Sequence, residues 1–409
     1  MNGKVYDVVV VGGGPAGIGA AFSAARLGLS AAIIERHSML GGNWTNGYVL
    51  SILGMYTYSG NTKIVGGIAD YVVERLSKLS GTKGKVGNFI PFRPDEMKLA
   101  LELASSELGI DKYFGSMATG ASIENGLITG IQVTDKSGIK EVKGKVFVDS
   151  SGECDVTYLA GLGCMSGRSN DGAHQDATLP FRIGGVDEKK VIEHAKRNPD
   201  ELSVVLDSEG NVSRIRIMQA LVEKAKSAGD LYLPLANSEF LFNTSRRGEF
   251  VCNATHVHVN NFGDGAEIAR ITADARKQAV SSLEFLVKYV GGFENAYLID
   301  SAPSIGMRET RRAIGEYILT KQDVISNARF DDAIVRCGHP VEVHDPEKGV
   351  YYVHLNGGDD SWYEIPYRAI VVKGAKNLFA IGRCLRAEFE AQASNGNGPG
   401  CRYCCIHND

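Results

Sequence analysis

Long apolar runs are missing from this chain. No stretch reaches the ~18 residues that a membrane-crossing helix needs. The apolar run near the N-terminus, Val8 to Val11, stops at three glycines and is too short for a signal-peptide core. A soluble, cytoplasmic protein with reduced thiols is therefore expected. An excess of one charge is also missing: 44 Lys and Arg stand against 48 Asp and Glu, a formal net charge of -4. That balance leaves no electrostatic footprint for nucleic acid or an anionic membrane, and neither is expected as a partner. Internal repeats and low-complexity segments are absent. No closely spaced cysteine pair accompanies the motifs described below, since Cys154 and Cys164 are ten apart, so disulfide reductase chemistry is disfavoured. With 409 residues, 44% of them hydrophobic and 22% charged, the chain reads as globular and suits two domains.

What is present begins at the N-terminus. Asp7 to Val11 is an apolar strand that runs into Gly12-Gly-Gly14-Pro15-Ala16-Gly17. Ile18, Ala21, Phe22, Ala25 and Leu27 then follow a helical period, and Gly28 is placed to end it. Ser30 to Ile34 is a second apolar run, closed by Glu35, which lies 18 residues beyond Gly17. This is a βαβ unit with Gly12-x-Gly14-x-x-Gly17 at its first turn. Gly12 permits the tight turn, Gly14 lets backbone approach a pyrophosphate, and Gly17 lets helix and strand pack closely. The helix N-terminus offers free N–H groups and a positive dipole end to phosphates, while Glu35 accepts from ribose hydroxyls. A dinucleotide site is predicted.

The fingerprint alone does not choose between FAD and NAD. Beyond it, Arg36 to Thr45 reads RHSMLGGNWT, and Gly41-Gly42 again lets backbone come near a nucleotide. Asp95 to Gly109 reads as an amphipathic helix with Met97, Leu101, Ala104 and Leu108 on one face. Short alternating runs with turn signals at Asn125-Gly126 and Lys136-Ser-Gly138 follow, a β-meander. Lys145 to Asp155 is a strand ending in an acid-and-glycine turn at Asp149 and Gly152. A simple NAD dehydrogenase would continue βαβαβ without the meander; this order instead resembles the FAD domain of glutathione-reductase-type flavoproteins.

The segments YDVVVVGGGPAGIGAAFSAARLG, IERHSMLGGNWT, FVDSSGECDVTYLAG, TLPFRIGGVD, SIGMRETRRAIGEYILTKQDV and NLFAIGRC narrow the likeness. Together they resemble successive blocks of the FAD-dependent oxidoreductase family, which is related to the succinate dehydrogenase and fumarate reductase flavoproteins. The resemblance implies an α/β fold: a Rossmann-like FAD-binding domain with a β-meander crossover, and an inserted mixed α+β substrate domain. FAD-binding pieces are expected at 1–166 and 364–394, and the substrate or cap domain at 167–363. FAD contacts are implied at Gly12, Gly14, Pro15, Ala16, Gly17, Glu35, Arg36, Gly41, Gly42, Asn43, Asp149, Gly152, Asp155, Gly382 and Arg383. A second strand–GxGxxG–helix unit is missing, because the cluster from Gly396 to Gly400 has the wrong spacing. A dedicated NADPH domain is thus not expected. Electrons would pass through a small-molecule substrate, dioxygen, free nicotinamide or a redox protein.

Candidate chemistry lies in the middle of the chain. Leu179 to Val186 reads as a strand and Ile271 to Tyr289 as a long helix with Ala275, Ala279, Leu283, Leu286 and Tyr289 on its apolar face. Arg308 or Arg312 is suited to clamp a substrate carboxylate or to stabilise negative charge on reduced flavin by bidentate hydrogen bonds. An ion-paired helix start with Glu309 and Glu316 is the plainer reading. Thr255-His256-Val-His258 alternates as a strand does, which puts both imidazoles on one side, with His256 the candidate for proton transfer. Metal ligation is not expected there, since no third ligand is near. His174 and Arg182 are equal candidates to face the site, and His37 reads as a surface residue rather than a covalent flavin anchor.

The segment 395–409 departs from the family, which continues here into an apolar helix pointing at the flavin. A polar, glycine-rich tail replaces it, as truncation or a shift of reading frame would produce. Cys401-x-x-Cys404-Cys405-x-His407 has zinc-like spacing, but a disordered tail is the default at a terminus. The expected function is hydride transfer between a small organic substrate and FAD. The alternative is a non-catalytic or impaired flavin-binding protein.

Overall fold

The valine-rich strand Val5–Val11 runs through the middle of a seven-stranded sheet, with Val9, Val10 and Val11 buried. The computed structural model describes residues 3–80, 84–233 and 239–395; the tail beyond, with Cys401, Cys404, Cys405 and His407, lies outside the described residues. The sheet order is Asp111–Phe114, Ala31–Glu35, Val5–Val11, Gly138–Asp149, Leu127–Asp135, Met117–Glu124, with Leu378–Ala380 added beside Gly138–Asp149. Val11 is level with Ile34 on one side and Asp149 on the other, and Asp149 is level with Ala380. Four parallel strands therefore end on one line, and the turns that follow them converge at that carboxyl edge, where open α/β sheets bind ligands.

The strand Gly138–Asp149 belongs to two arrangements. Its first half pairs antiparallel with Leu127–Asp135, and its second half runs parallel to Val5–Val11 and Leu378–Ala380. The expected meander is thus present, and its first turn is tight: Asn125 and Gly126 have φ of 50 and 78, which matches a hairpin turn with both central residues left-handed. The plain βαβαβ alternative does not hold. The helix expected at Asp95 to Gly109 is Pro94–Glu107, opened by proline at its first position, and it buries Met97, Leu101 and Ala104. A second helix, Ile68–Ser80, packs beside it; its moderate apolar period drew no prediction.

A six-stranded antiparallel sheet forms the other layer, in the order Leu202–Leu206, Val212–Ile217, Glu239–Asn243, Phe250–Cys252, Phe181–Gly184, Tyr297–Ser301. Side chains alternate across it. Ile215, Ile217, Leu241 and Phe250 face a core of their own, closed by Phe285 and Leu286 of the helix Gly265–Tyr289. That helix starts earlier than its apolar period because the Asp264 carboxylate caps it, accepting from the Ala266 N–H at 2.9 Å. The opposite face carries Arg214, Arg216, Phe240 and Phe242. Beyond this sheet the chain returns to the first core with Val335, Val343, Tyr363 and Ile365. No helix among the described residues is long and apolar enough to cross a membrane.

Asn377 ties the last strand to the meander. Its side chain accepts from the Ile128 N–H at 2.9 Å and donates to the carbonyls of Ile128 and Lys145 at 2.9 and 2.8 Å. Asn377→Ala leaves these groups unpaired and is expected to destabilise the fold by roughly 1–3 kcal/mol. A lowered urea midpoint with an unchanged slope is the expected result, and an unmoved midpoint would contradict the role.

Candidate active site

The cleft at the carboxyl edge of the first sheet is built by close backbone approach. Gly12 has φ of 102, and a Cβ there would lie 2.3 Å from the Ser150 carbonyl oxygen. At Gly17 a Cβ would lie 2.0 Å from the Gly12 carbonyl oxygen and 2.4 Å from Ser150 Oγ. At Gly42 it would meet Gly14 Cα at 2.8 Å, whereas a Cβ on Gly14 meets nothing nearer than 3.9 Å. Gly14 therefore leaves its open side to the cleft rather than to protein. The helix Pro15–Arg26 begins there with no side-chain cap, so its first-turn N–H groups and dipole face the cleft. Glu35 is 6% exposed, and each of its oxygens accepts one backbone N–H, from Gly13 at 2.7 Å and His37 at 2.8 Å. Its remaining lone pairs suit ribose hydroxyls. Glycine backbone, an uncapped helix and an acid at the end of the neighbouring strand fit the ADP half of FAD.

Gly12, Gly14, Pro15, Ala16, Glu35, Arg36, Gly42, Asn43, Gly152, Gly382 and Arg383 line this cleft. Four other implied contacts do not, each for a physical reason. Gly17 is spent on helix–strand packing, and Gly41, with φ of 114, would press a Cβ against Thr45 at 2.4 Å. Asp149 is wholly buried and accepts from the Thr157 N–H and hydroxyl at 2.9 and 2.8 Å, so it shapes the turn from behind. Asp155 pairs with Arg311 at 2.8 Å beneath the cleft. Sequence reasoning missed Asn46, Gly47, Ser150, Ser151, Glu153, Ser304, Ile305 and Met307; His37, read as a surface residue rather than a covalent flavin anchor, is half-buried in the cleft wall. Ser150, Ser151 and Glu153 stand inside the 145–155 segment that drew attention; nothing local marks Ser304, Ile305 or Met307. Arg383 fastens the two parts together: its guanidinium donates to the Gly152 carbonyl at 2.7 Å and to the Met307 carbonyl.

Cysteine spacing proved a poor guide to proximity. The Cys154 N–H donates to Cys384 Sγ at 3.2 Å, and the Cys154 thiol also hydrogen-bonds Cys164. Burial pushes the Cys154 thiol up, while that hydrogen bond holds Cys164 down. All three are free thiols.

A second, larger cavity of about 940 Å³ opens over the free face of the six-stranded sheet. His256, His339, Glu342, His344, Tyr352 and Tyr58 line it opposite Arg214, Arg216, Phe240 and Phe242. The His256 and His344 rings stack at 5.3 Å. His344 Nε2 lies 3.3 Å from Glu342, which also accepts from the Tyr352 hydroxyl at 2.9 Å. Gln278 clamps the His256 backbone, accepting from its N–H and donating to its carbonyl, both at 2.9 Å. Burial first, then the charges of His344 and Arg308, hold His256 well below the usual imidazole range; burial and Arg308 bring His344 down to about 4. Both imidazoles are neutral at pH 7. The His344 hydrogen bond and surrounding positive charge, against the cost of burial, keep the Glu342 carboxyl far below its ordinary range.

Arg308 stands behind this wall, next to Met307 of the first cleft. Arg312 lines neither space. It is buried in a two-residue strand paired with Met165, donating to the Gly167 carbonyl at 2.8 Å with Glu309 at 3.5 Å. The expected ion pair with Glu309 is present, but the segment is loop and strand rather than a helix start. His174 is held by Glu309 at 2.6 Å, Arg182 is forked onto Asp300 at 2.8 and 2.6 Å, and His258 is exposed, 3.5 Å from Asp176.

Asp155 carries a pH dependence. Burial, then the charges of Glu153 and Asp149, outweigh Arg311 and push its carboxyl up to about 6. An acid with a raised folded-state pKa stabilises the fold while protonated and loses that stabilisation as pH rises. Asp155→Asn should therefore gain stability on the wild type between about pH 4 and about pH 7, by on the order of 1–3 kcal/mol. Urea unfolding of both proteins across that window checks it; a constant difference would refute the raised pKa.

Likeness to known proteins agrees with this geometry. A family model for FAD dependent oxidoreductase matches residues 7–401, a span that does not favour the non-catalytic alternative. Digeranylgeranylglycerophospholipid reductase of Thermoplasma acidophilum is 29% identical over 193 residues, covering 45% of this chain and 48% of that protein. The match thus spans about half the length of that relative. Dihydrolipoyl dehydrogenase 3 of Pseudomonas putida is 54% identical over 43 residues, 10% of this chain and 9% of its own. Among solved structures, a geranylgeranyl bacteriochlorophyll reductase-like protein from Thermoplasma acidophilum aligns with 98% of this chain and 75% of its own, at 15% identity and a TM-score of 0.47. With FAD as the cofactor that the family's name implies, this chain belongs to the FAD-dependent oxidoreductase family.

Proposed function

We propose that this oxidoreductase moves a hydride between FAD and a small organic substrate held in the cavity over the six-stranded sheet. The observation that carries this reading is a half-buried imidazole, His256, that lines a cavity large enough for an organic molecule and is stacked on His344. FAD, when bound, supplies the two-electron donor or acceptor. The chain supplies the rest. A neutral His256 takes a proton from a substrate hydroxyl, amine or activated carbon, or returns one in the reverse direction. Its low basicity in the free enzyme comes from burial and from Arg308, so a substrate that adds negative charge nearby raises it toward working pH. His344 braces the ring by stacking, and Glu342, itself fixed by Tyr352, holds His344. Arg308 places positive charge behind both imidazoles and suits negative charge that develops on the substrate or on the reduced ring system. Dioxygen, free nicotinamide or a redox protein then exchanges the electrons.

The test is an anaerobic screen in which substrates bleach the flavin absorbance, followed by the same measurement with the reacting carbon deuterated. Hydride transfer predicts a slowed bleaching step; a rate unchanged by deuterium for an active substrate would sink it. His256→Asn should retain flavin content while its bleaching rate falls by about 10²–10⁴-fold. Wild-type rates in that variant would remove His256 from the reaction.

A further inference from the structure

The chemistry of the larger cavity defines its ligand more narrowly than its size does. Three guanidinium groups converge on it: Arg214 and Arg216 on the sheet face, and Arg308 behind the histidine wall. None of the three has a carboxylate within ion-pair distance among the described residues, although most arginines of this chain do. At longer range Arg308 is attracted by Glu342 and Asp176, and of these carboxylates only Glu342 lines the cavity. On the lining itself positive charge exceeds negative by one, Arg214 and Arg216 against Glu342.

Arg214 and Arg216 are held by aromatic rings instead. The Arg214 guanidinium lies 5.8 Å from the Phe89 ring and 5.3 Å from the Phe242 ring, and Arg216 lies 5.2 Å from Phe240. Stacking uses the flat face of a guanidinium and leaves its in-plane N–H groups available. The buried Nε of Arg214 has no hydrogen-bond partner among the described residues, a cost that a native structure seldom leaves standing without a ligand to relieve it. Strand geometry keeps the two arginines on one face, two residues apart, beside the apolar surfaces of Phe240, Phe242, Leu53 and Val205.

We propose that this cavity binds its organic substrate as a monoanionic carboxylate, with Arg214 and Arg216 taking the carboxylate and the phenylalanine-lined face taking an apolar or aromatic body. This rests on the reading of the cavity as the substrate site and adds the substrate class. The fork of an arginine matches both carboxylate oxygens, and a stacked fork is already oriented, so little side-chain freedom is lost on binding. A neutral substrate of the same shape leaves the in-plane donors unsatisfied and meets an uncompensated positive field. Arg308 contributes the field rather than a contact.

The FAD-loaded protein is titrated calorimetrically with benzoate and trans-cinnamate and, in parallel, with benzamide and cinnamamide. The acids should bind at least tenfold more tightly than their amides, and the advantage should shrink as salt rises from about 0.05 M to about 0.5 M. Phenyl phosphate, a dianion of similar body, should gain no more than threefold over benzoate. Arg214→Gln and Arg216→Gln should each reduce the acid preference to less than about threefold while leaving flavin content unchanged. Equal binding of acid and amide, no measurable binding of either acid, or an acid preference that survives both substitutions would overturn the assignment. Binding is read without turnover, so a failure of hydride transfer leaves this result standing. A neutral substrate that bleaches the flavin while acids fail to bind would overturn the carboxylate assignment alone.

Discussion

Two hydrogen atoms stand where the fold has no room for carbon. The helix after the first strand approaches so closely that a side chain on Gly17 would overlap the Gly12 carbonyl and Ser150, and one on Gly12 would overlap the Ser150 carbonyl. That contact sets the height of the helix N-terminus above the sheet and locks the turn after Val11 to the turn after Asp149. Much of the rest depends on it. Ser150 seals the approach by donating its hydroxyl to the carbonyls of Val11 and Gly12 at 2.9 and 2.7 Å. Because the helix begins uncapped, its unsatisfied N–H groups face the cleft, as helix starts that receive phosphates do.

The returning chain joins the two cavities. Ser304, Ile305 and Met307 form a wall of the glycine-lined cleft, while the next residue, Arg308, places its charge behind the histidines of the larger cavity. Gly306 is anchored by reciprocal backbone hydrogen bonds with Thr178 at 2.8 and 3.1 Å, so this wall is part of a ladder and not a loose loop. Arg383 fastens it from the other side through the Met307 carbonyl. Groups far apart in the chain are thereby fixed relative to the flavin cleft by backbone geometry, which is the kind of support that a site of defined chemistry requires.

Charge in the larger cavity is arranged against the usual preference. Buried cations commonly sit beside carboxylates, as Arg312 does with Glu309 and Arg182 with Asp300. Half-buried Arg308 and Arg214 do not, nor does Arg216, which is exposed to the cavity. Burial, and then Arg308, keep His256 and His344 neutral, and Arg214 and Arg216 make the space more hospitable to an anion than to a neutral molecule. Stability alone would favour apolar residues at such positions; an unmatched field is retained where it acts on a ligand.

Local chemistry made the first half of the site legible. The glycine spacing, the valine run, the acid at Glu35 and the turn signals at Asn125-Gly126 act over a few residues, and each dictates a backbone conformation that needs no distant partner. The meander and the long helix were readable for the same reason: alternation and the 3.6-residue period survive in the chain as text. Tertiary structure alone decided the remainder. That Cys154, Cys164 and Cys384 meet, that Arg308 stands behind the larger cavity while Arg312 four residues later lies apart from it, and that Arg214 and Arg216 line that cavity all depend on which side of each segment is buried. That choice is made by packing between elements hundreds of residues apart, and no local period records it.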